Sequence, residues 1–228
     1  ACPYPAPRPL PEETPQAMKK PTGKPTLIAG AVVSALVLTA APASAAPSTV
    51  WTVGPSPVGV SLSNGANVVM NVNGIAWTCT KSTASATWRS ATGNPASIGT
   101  FGSVSFAAAG APCSSVLGNI TLIPTTPWTF VAQDHAAATG VTKGYIGDID
   151  MKLTVGATVL RVRGKASATY TNATGRLVVD NTAAELPIVE SLNGGAAFPV
   201  GAGLVIKAGY LVKKTGTTVV PTITGSNP

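Results

Sequence analysis

The clearest hydrophobic pattern in the chain runs from residue 145 to residue 180. Apolar or small residues alternate with polar ones over 147–155 and again over 159–170, which is the period of half-buried strands. Gly156-Ala157 separates the two runs and suits a type II′ turn. A second turn at 172–175 leads into a third apolar run. The pattern predicts a three-stranded antiparallel meander with one apolar face.

The two-residue loop fixes which residues face each other across this predicted hairpin. On the polar face, two of the facing pairs join opposite charges and a third puts two cations side by side. The predicted pairs are Asp148 with Lys165, Asp150 with Arg163, and Lys152 with Arg161. Exposed pairs of opposite charge contribute only about 0–1 kcal/mol each. The polar face is therefore interpreted as a surface charge ladder.

The remainder of the chain after residue 46 repeats this alternation in shorter runs. Asn73-Gly74, between two alternating runs, is a strong signal for a hairpin. Turn residues recur every 8–12 positions, and no segment has the hydrophobic period of a helix. The sequence predicts an all-β fold, an antiparallel β-sandwich or barrel, in a single domain over 46–228.

The N-terminal part has a different character. Residues 1–17 are rich in proline, lack an apolar period and are predicted to be disordered, upstream of a start at Met18. Residues 18–45 combine three lysines with an apolar run of 15 residues over 27–41. Small residues follow, so we predict a secretory signal peptide cleaved between Ala45 and Ala46. No transmembrane segment is expected after cleavage, and the protein is expected to be secreted or associated with the cell wall.

The net charge narrows the classes of molecule that the protein could bind. The whole chain carries a net charge of +7, and residues 46–228 carry +5. The lysines and arginines do not form a stripe with interleaved aromatics, so no nucleic-acid partner is expected. An anionic cell-wall polymer or polysaccharide is the partner that the charge favours.

Cys79 and Cys113 are the two cysteines of the predicted domain. In an exported chain an even pair predicts a disulfide, which would close a loop of about 34 residues and add roughly 3–4 kcal/mol. With two cysteines and one histidine, the sequence predicts no zinc site, and nothing in it indicates another metal or a cofactor.

Three groups of residues could carry chemistry. Asp148 and Asp150 share a strand face and could serve a glycosidase, although the charge ladder is the simpler interpretation. His135 has no nucleophile motif with it and is expected to lie in a loop. Trp51 and Trp88 are weak candidates for stacking on a glycan, if their rings are exposed. No catalytic residue is predicted.

Six segments of the chain form a distinctive set of turns and strands: Trp51-Thr52-Val53, Thr78-Cys79-Thr80, 98–113, Pro127-Trp128, 140–147 and 170–177. Together they resemble a group of small secreted actinobacterial β-rich proteins of unknown function. The resemblance supports export and a β fold, and it implies no reaction. Members of the group often carry a second cysteine pair near positions matching Gly156 and Val189, which this chain lacks.

The sequence thus predicts a secreted, non-enzymatic protein that acts by binding, outside the cell or at its envelope. One alternative is a glycan-active hydrolase that uses Asp148 and Asp150, which depends on whether Lys165 and Arg163 lie opposite them. A second alternative is an envelope β-barrel or pore. Many outward positions are Thr, Ser or Asn, which suits water better than lipid.

Overall fold

A computed structural model describes residues 50–107 and 112–226, which all belong to one compact unit. Sixteen antiparallel strands and one short 3-10 turn, Ala183–Glu185, account for the regular structure of these residues. The all-β prediction is confirmed. The strands are β1 (Val50–Gly54), β2 (Val58–Asn64), β3 (Val68–Val72), β4 (Ile75–Cys79), β5 (Thr83–Trp88), β6 (Ala91–Thr92), β7 (Ala96–Ser105), β8 (Cys113–Ser115), β9 (Gly118–Pro124), β10 (Trp128–Ala136), β11 (Val141–Val155), β12 (Thr158–Thr171), β13 (Arg176–Asp180), β14 (Ile188–Leu192), β15 (Val205–Lys214) and β16 (Thr222–Ser226).

The β11–β12 hairpin is the longest element and connects the two halves of the fold. Its turn has Gly156 at φ +55, as a type II′ turn requires, and the register runs as predicted from the turn back to Asp150. There the pairing shifts, because Gly147 and Asp148 together oppose the single residue Lys165. The predicted pair of Asp148 with Lys165 is therefore wrong.

Eight strands close into a ring in the order β12, β13, β15, β2, β5, β7, β10, β11 and back to β12. Of the two predicted architectures, this half of the domain is the barrel. The inward positions are apolar, and Trp88 packs there against Phe130 and Tyr170 at ring-centroid distances of 5.7 and 5.0 Å. We call these eight strands the ring.

The part of β11 next to the turn leaves β10 and pairs with β9 instead. From β9 the sheet continues through β8, β4 and β3 to the start of β15, while β14 pairs with the other side of the hairpin on β12. Cys79 and Cys113 form the predicted disulfide between β4 and β8. Both sulfurs are buried, as is Trp77 on the same strand face. We call this part the disulfide half.

A second, small sheet of β16, β1 and β6 is tied to one end of the ring. The Tyr170 hydroxyl donates to the Pro221 carbonyl at 2.5 Å. Asn172 donates to the Ile223 carbonyl at 2.7 Å and accepts from the Ile223 amide at 2.8 Å. These bonds fix the last described strand to the β12–β13 turn.

The predicted segments 1–17 and 18–45, and the cleavage site between Ala45 and Ala46, lie outside the described residues. Within residues 50–107 and 112–226, no helix is long and apolar enough to cross a membrane.

Candidate functional site

The outer face of the hairpin, next to its turn, forms the floor of an open groove of about 570 Å³. Four strands contribute to it, because β9 and β14 flank β11 and β12 at this point. Alternation along each strand turns one set of side chains outward. One row of facing residues crosses the floor: Ile123, Lys152, Arg161 and Glu190. The next row, Thr121, Thr154, Val159 and Leu192, contributes Val159 and Leu192 to the lining.

Asp150 is the centre of the charged network in this groove. Arg161 donates to both of its carboxylate oxygens, from Nε and Nη2, at 2.8 Å each. Arg163, its partner in the register, donates from Nε at 3.0 Å. A two-pronged contact of this kind is stronger than a single ion pair. The predicted Asp150–Arg163 pair is therefore present, but the closer partner is the diagonal neighbour Arg161.

The arginines keep the Asp150 carboxylate ionised. The hydrogen bonds from Arg161, with a smaller contribution from Arg163, hold the pKa of Asp150 below its usual value, although partial burial acts in the opposite direction. Glu190 lies 3.5 Å from the other terminal nitrogen of Arg161 and is well exposed. All three nitrogens of the Arg161 guanidinium thus face carboxylates.

Lys152 is the cation that this network does not neutralise. It lies directly opposite Arg161, and no carboxylate in the described ranges lies within salt-bridge distance of its ammonium. Like charges in facing positions are destabilising. Lys152 and Arg161 line the groove, and Arg163 lies beside it through its contact with Asp150. These three cations face the two carboxylates of Asp150 and Glu190.

Two exposed aliphatic side chains border the charged floor. Ile123 on β9 is 51% exposed and Leu192 on β14 is 62% exposed, and both line the groove. Exposed aliphatic groups next to charges provide a contact surface for the carbon skeleton of a polar ligand. The arrangement is thus suited to holding an extended anionic molecule.

Asp148 lies outside the groove. It occupies the bulge at φ +56, and its carboxylate accepts a hydrogen bond from the Thr129 hydroxyl at 2.9 Å. Lys165, which was predicted to face it, lies instead over the Tyr145 ring, 5.0 Å from the centroid. The two aspartates of the hydrolase hypothesis are therefore held by different partners.

The prediction that Trp51 and Trp88 could stack on a glycan is wrong. Trp51 and Trp88 are both 0% exposed, so neither offers a ring face to a ligand. Trp51 donates to the Gly93 carbonyl at 3.0 Å, beside the small sheet. Trp88 fills the interior of the ring. Their roles are in packing.

His135 is not in a loop as predicted, but in β10, paired with Thr142 on β11. It is buried, and Nδ1 lies 3.0 Å from the Thr142 hydroxyl. Burial lowers the pKa of His135, against an opposing effect of Asp134. The histidine is a structural group at the end of the ring. No group of His, Cys, Asp and Glu in the described residues could hold a metal ion.

Sequence reasoning missed Glu190 and Leu192, because the segment 186–192 carried no clear period. The facing pair of Lys152 and Arg161 was the feature that could have indicated this site. Two cations in facing positions repel each other, so their presence suggests nearby carboxylates or an anionic ligand. Comparison of the chain with protein-family models, with curated proteins and with solved structures finds no match.

Proposed function

We propose that this chain is a secreted, non-enzymatic binding protein that holds an anionic cell-wall polymer or polysaccharide in the groove of the hairpin. The observation that supports this most directly is the facing pair of Lys152 and Arg161 on an open, bordered floor. Placing two cations opposite each other costs stability in the unbound protein. An anionic group bound at Lys152, the member of the pair without a carboxylate partner, would offset that cost.

The cations available to such a ligand are Lys152 and Arg163. Arg161 is engaged by Asp150 and Glu190. Arg163 contacts Asp150 through Nε alone and is 49% exposed, so its terminal amino groups can donate to a phosphate or a carboxylate. Asp150 then acts as the group that orients the two arginines.

A polymer of sugar units fits the shape and borders of the groove. Its phosphate or carboxylate groups would meet the cations, and the carbon skeleton of the sugars would lie along Ile123 and Leu192. The net charge of residues 46–228, +5, adds a long-range attraction that brings an anionic polymer to the surface.

An extracellular location is part of the proposal. It is supported by the leader pattern of residues 18–45 and by the Cys79–Cys113 disulfide, since disulfides persist in oxidising compartments. The protein would act in the extracellular space or at the cell envelope.

The alternatives are less well supported. A hydrolase needs a carboxyl group that can give up a proton near neutral pH, whereas the pKa of Asp150 is lowered by its arginine partners. A pore needs a polar lumen, whereas apolar side chains fill the ring. Binding therefore agrees best with the chemistry of these residues.

The test is co-sedimentation of residues 46–228 with isolated Gram-positive cell walls at low and high salt. We expect binding at low salt that falls about tenfold or more at 0.5 M salt, since exposed charges are screened there. Lys152→Glu and Arg163→Glu should each reduce low-salt binding severalfold.

Lys213→Glu is the matched control, because Lys213 is an exposed lysine on β15 outside the groove. It changes the net charge by the same amount as Lys152→Glu. If the three variants lose binding equally, the attraction is one of overall charge and the groove is not the site. Binding that no variant and no salt concentration alters would refute the electrostatic proposal itself.

A further inference from the structure

The ring contains an apolar cavity, partly open to solvent, that is separate from the groove. Its volume is about 50 Å³, and each of the eight strands contributes at least one lining side chain. Three alanines on different strands, Ala84, Ala166 and Ala208, line it together with the aromatic side chains Phe101, Trp128 and Tyr210. The short alanine side chains leave space beside the larger rings.

Water is a poor occupant of this cavity. A buried water requires two to four polar partners, whereas the polar side-chain atoms among the lining residues are the Tyr210 hydroxyl and the Trp128 indole nitrogen. The indole nitrogen donates to the Thr125 carbonyl at 2.9 Å. The Tyr210 hydroxyl lies 2.9 Å from Ser82 Oγ, and Ser82 Oγ in turn donates to the Ser105 carbonyl at 2.8 Å. Because the serine proton is used in the second bond, Tyr210 is the donor in the first. The Tyr210 hydroxyl proton is therefore not available to a water molecule in the cavity.

We propose that this cavity is a binding site for a small apolar molecule of roughly three to six heavy atoms, such as a short alkane or haloalkane. Protein interiors are close-packed, and unfilled space forfeits contacts that an apolar occupant restores. The site goes beyond the proposed function, because it lies inside the ring while the groove lies on the outer face of the hairpin.

Access is most direct between β5 and β7. Ala84 and Val104 face each other in the register, line the cavity and are only partly buried, whereas most of the lining side chains are buried. The β5–β7 register also shifts between Ser85 and Ala86, next to this pair. A small molecule that enters here would pass the partly exposed side chains of Ala84 and Val104.

Xenon is a suitable probe, because it is apolar, makes no hydrogen bonds and is small enough for the cavity. Under xenon pressure, the methyl NMR signals of Leu62 and Ile146 should shift in a saturable way. The methyl signals of Leu153 and Leu160, buried in the disulfide half, should not. A haloalkane should produce the same pattern, and methanol should not. Equal shifts in both halves, or none at all, would overturn the site.

Ala166→Val and Ala208→Val each fill the cavity from a different strand and should weaken xenon binding about tenfold or more. Ala157→Val, at the exposed hairpin turn, makes the same chemical change outside the cavity and should leave binding unaltered. If both filled variants fold and bind xenon like the wild type, the assignment is wrong. A crystal of the unmodified protein under xenon pressure gives an independent answer, because the xenon peak must lie inside the ring.

Discussion

The two parts of the β11–β12 hairpin are stabilised in different ways. Next to the turn, large side chains face each other in regular pairs, such as Leu153 with Leu160. Beyond the bulge at Gly147 and Asp148, the inward positions include Gly144 on β11 and the facing Ala168 on β12, and the backbone of β10 approaches closely. A Cβ atom on Gly144 would overlap the carbonyl oxygen of Val131. One part thus depends on side-chain packing and the other on the absence of a side chain.

This difference explains where each candidate site lies. Regular pairing next to the turn produces straight outward rows, and these rows form the floor of the groove. The bulge reverses the inside–outside alternation, so that Ile146 and Ile149 both face inward although they are three residues apart. Both line the ring cavity. Substitutions in the two parts of the hairpin should therefore destabilise the protein for different reasons.

The largest effect is expected for Gly144→Ala. The added methyl group would collide with the backbone of Val131, which cannot move without disrupting the β10–β11 ladder, so we expect a loss of about 4 kcal/mol in the free energy of unfolding. Gly156→Ala has open space but a positive φ of 55°, and should cost only about 1 kcal/mol. Urea denaturation measures both. If the two variants lose the same free energy of unfolding, the close contact between the backbones of β10 and β11 does not distinguish the two parts of the hairpin.

Leu153→Ala tests the side-chain packing next to the turn. Leu153 is 2% exposed and faces Leu160, so its truncation should cost about 3 kcal/mol through lost burial and a cavity. Thr154→Ala, one residue away on the outer face, should change the free energy of unfolding by less than about 0.5 kcal/mol. A small effect of Leu153→Ala would mean that the regular pairs contribute little.

Asp150→Asn should have a smaller, pH-dependent effect. Removing the carboxylate leaves Arg161 and Arg163 beside Lys152 and should cost about 1 kcal/mol at pH 7. Because the folded-state pKa of Asp150 is lowered, its stabilisation is complete above the unfolded-state pKa, about 4. It is lost as the pH falls further, through the folded-state value.

Thermal unfolding of the wild type and Asp150→Asn between pH 2 and 7 provides the measurement. The stability difference between the two proteins should begin to shrink below about pH 4 and vanish only below the folded-state pKa of Asp150. Asp180→Asn is the control, because Asp180 is 60% exposed and lies 3.4 Å from Lys207 in an isolated surface pair. A stability difference for Asp150→Asn that does not vary with pH would contradict the role of the carboxylate.

The smallest effect is expected at the bulge itself. Thr129→Val removes the hydrogen bond to Asp148 without changing the side-chain volume, and should cost about 0.5 kcal/mol. Thr169→Val, at another strand position with no side-chain hydrogen bond among the described residues, is the control. If the two variants are equally stable, the Thr129–Asp148 bond does not hold the bulge.

Much of the fold could be predicted from particular residues. Gly156-Ala157 specified the turn, and the turn specified the pairs from Val155 back to Asp150, because register in a two-residue hairpin is a local property. Asn73-Gly74 likewise predicted the β3–β4 hairpin. The disulfide followed from there being only two cysteines in the domain. The Asp148 error arose at the bulge, where alternation no longer reports which way a side chain faces.

The sequence by itself determined the class of the fold, the hairpin register next to the turn and the facing cations Lys152 and Arg161, because each depends on alternation and turn geometry within a few residues. Only the tertiary structure decided that Trp51 and Trp88 are buried, that Glu190 joins the charged row and that eight strands close around a cavity. These depend on contacts between segments far apart in the chain, such as β14 with β12. Local patterns carry no information about which distant strand covers a given face.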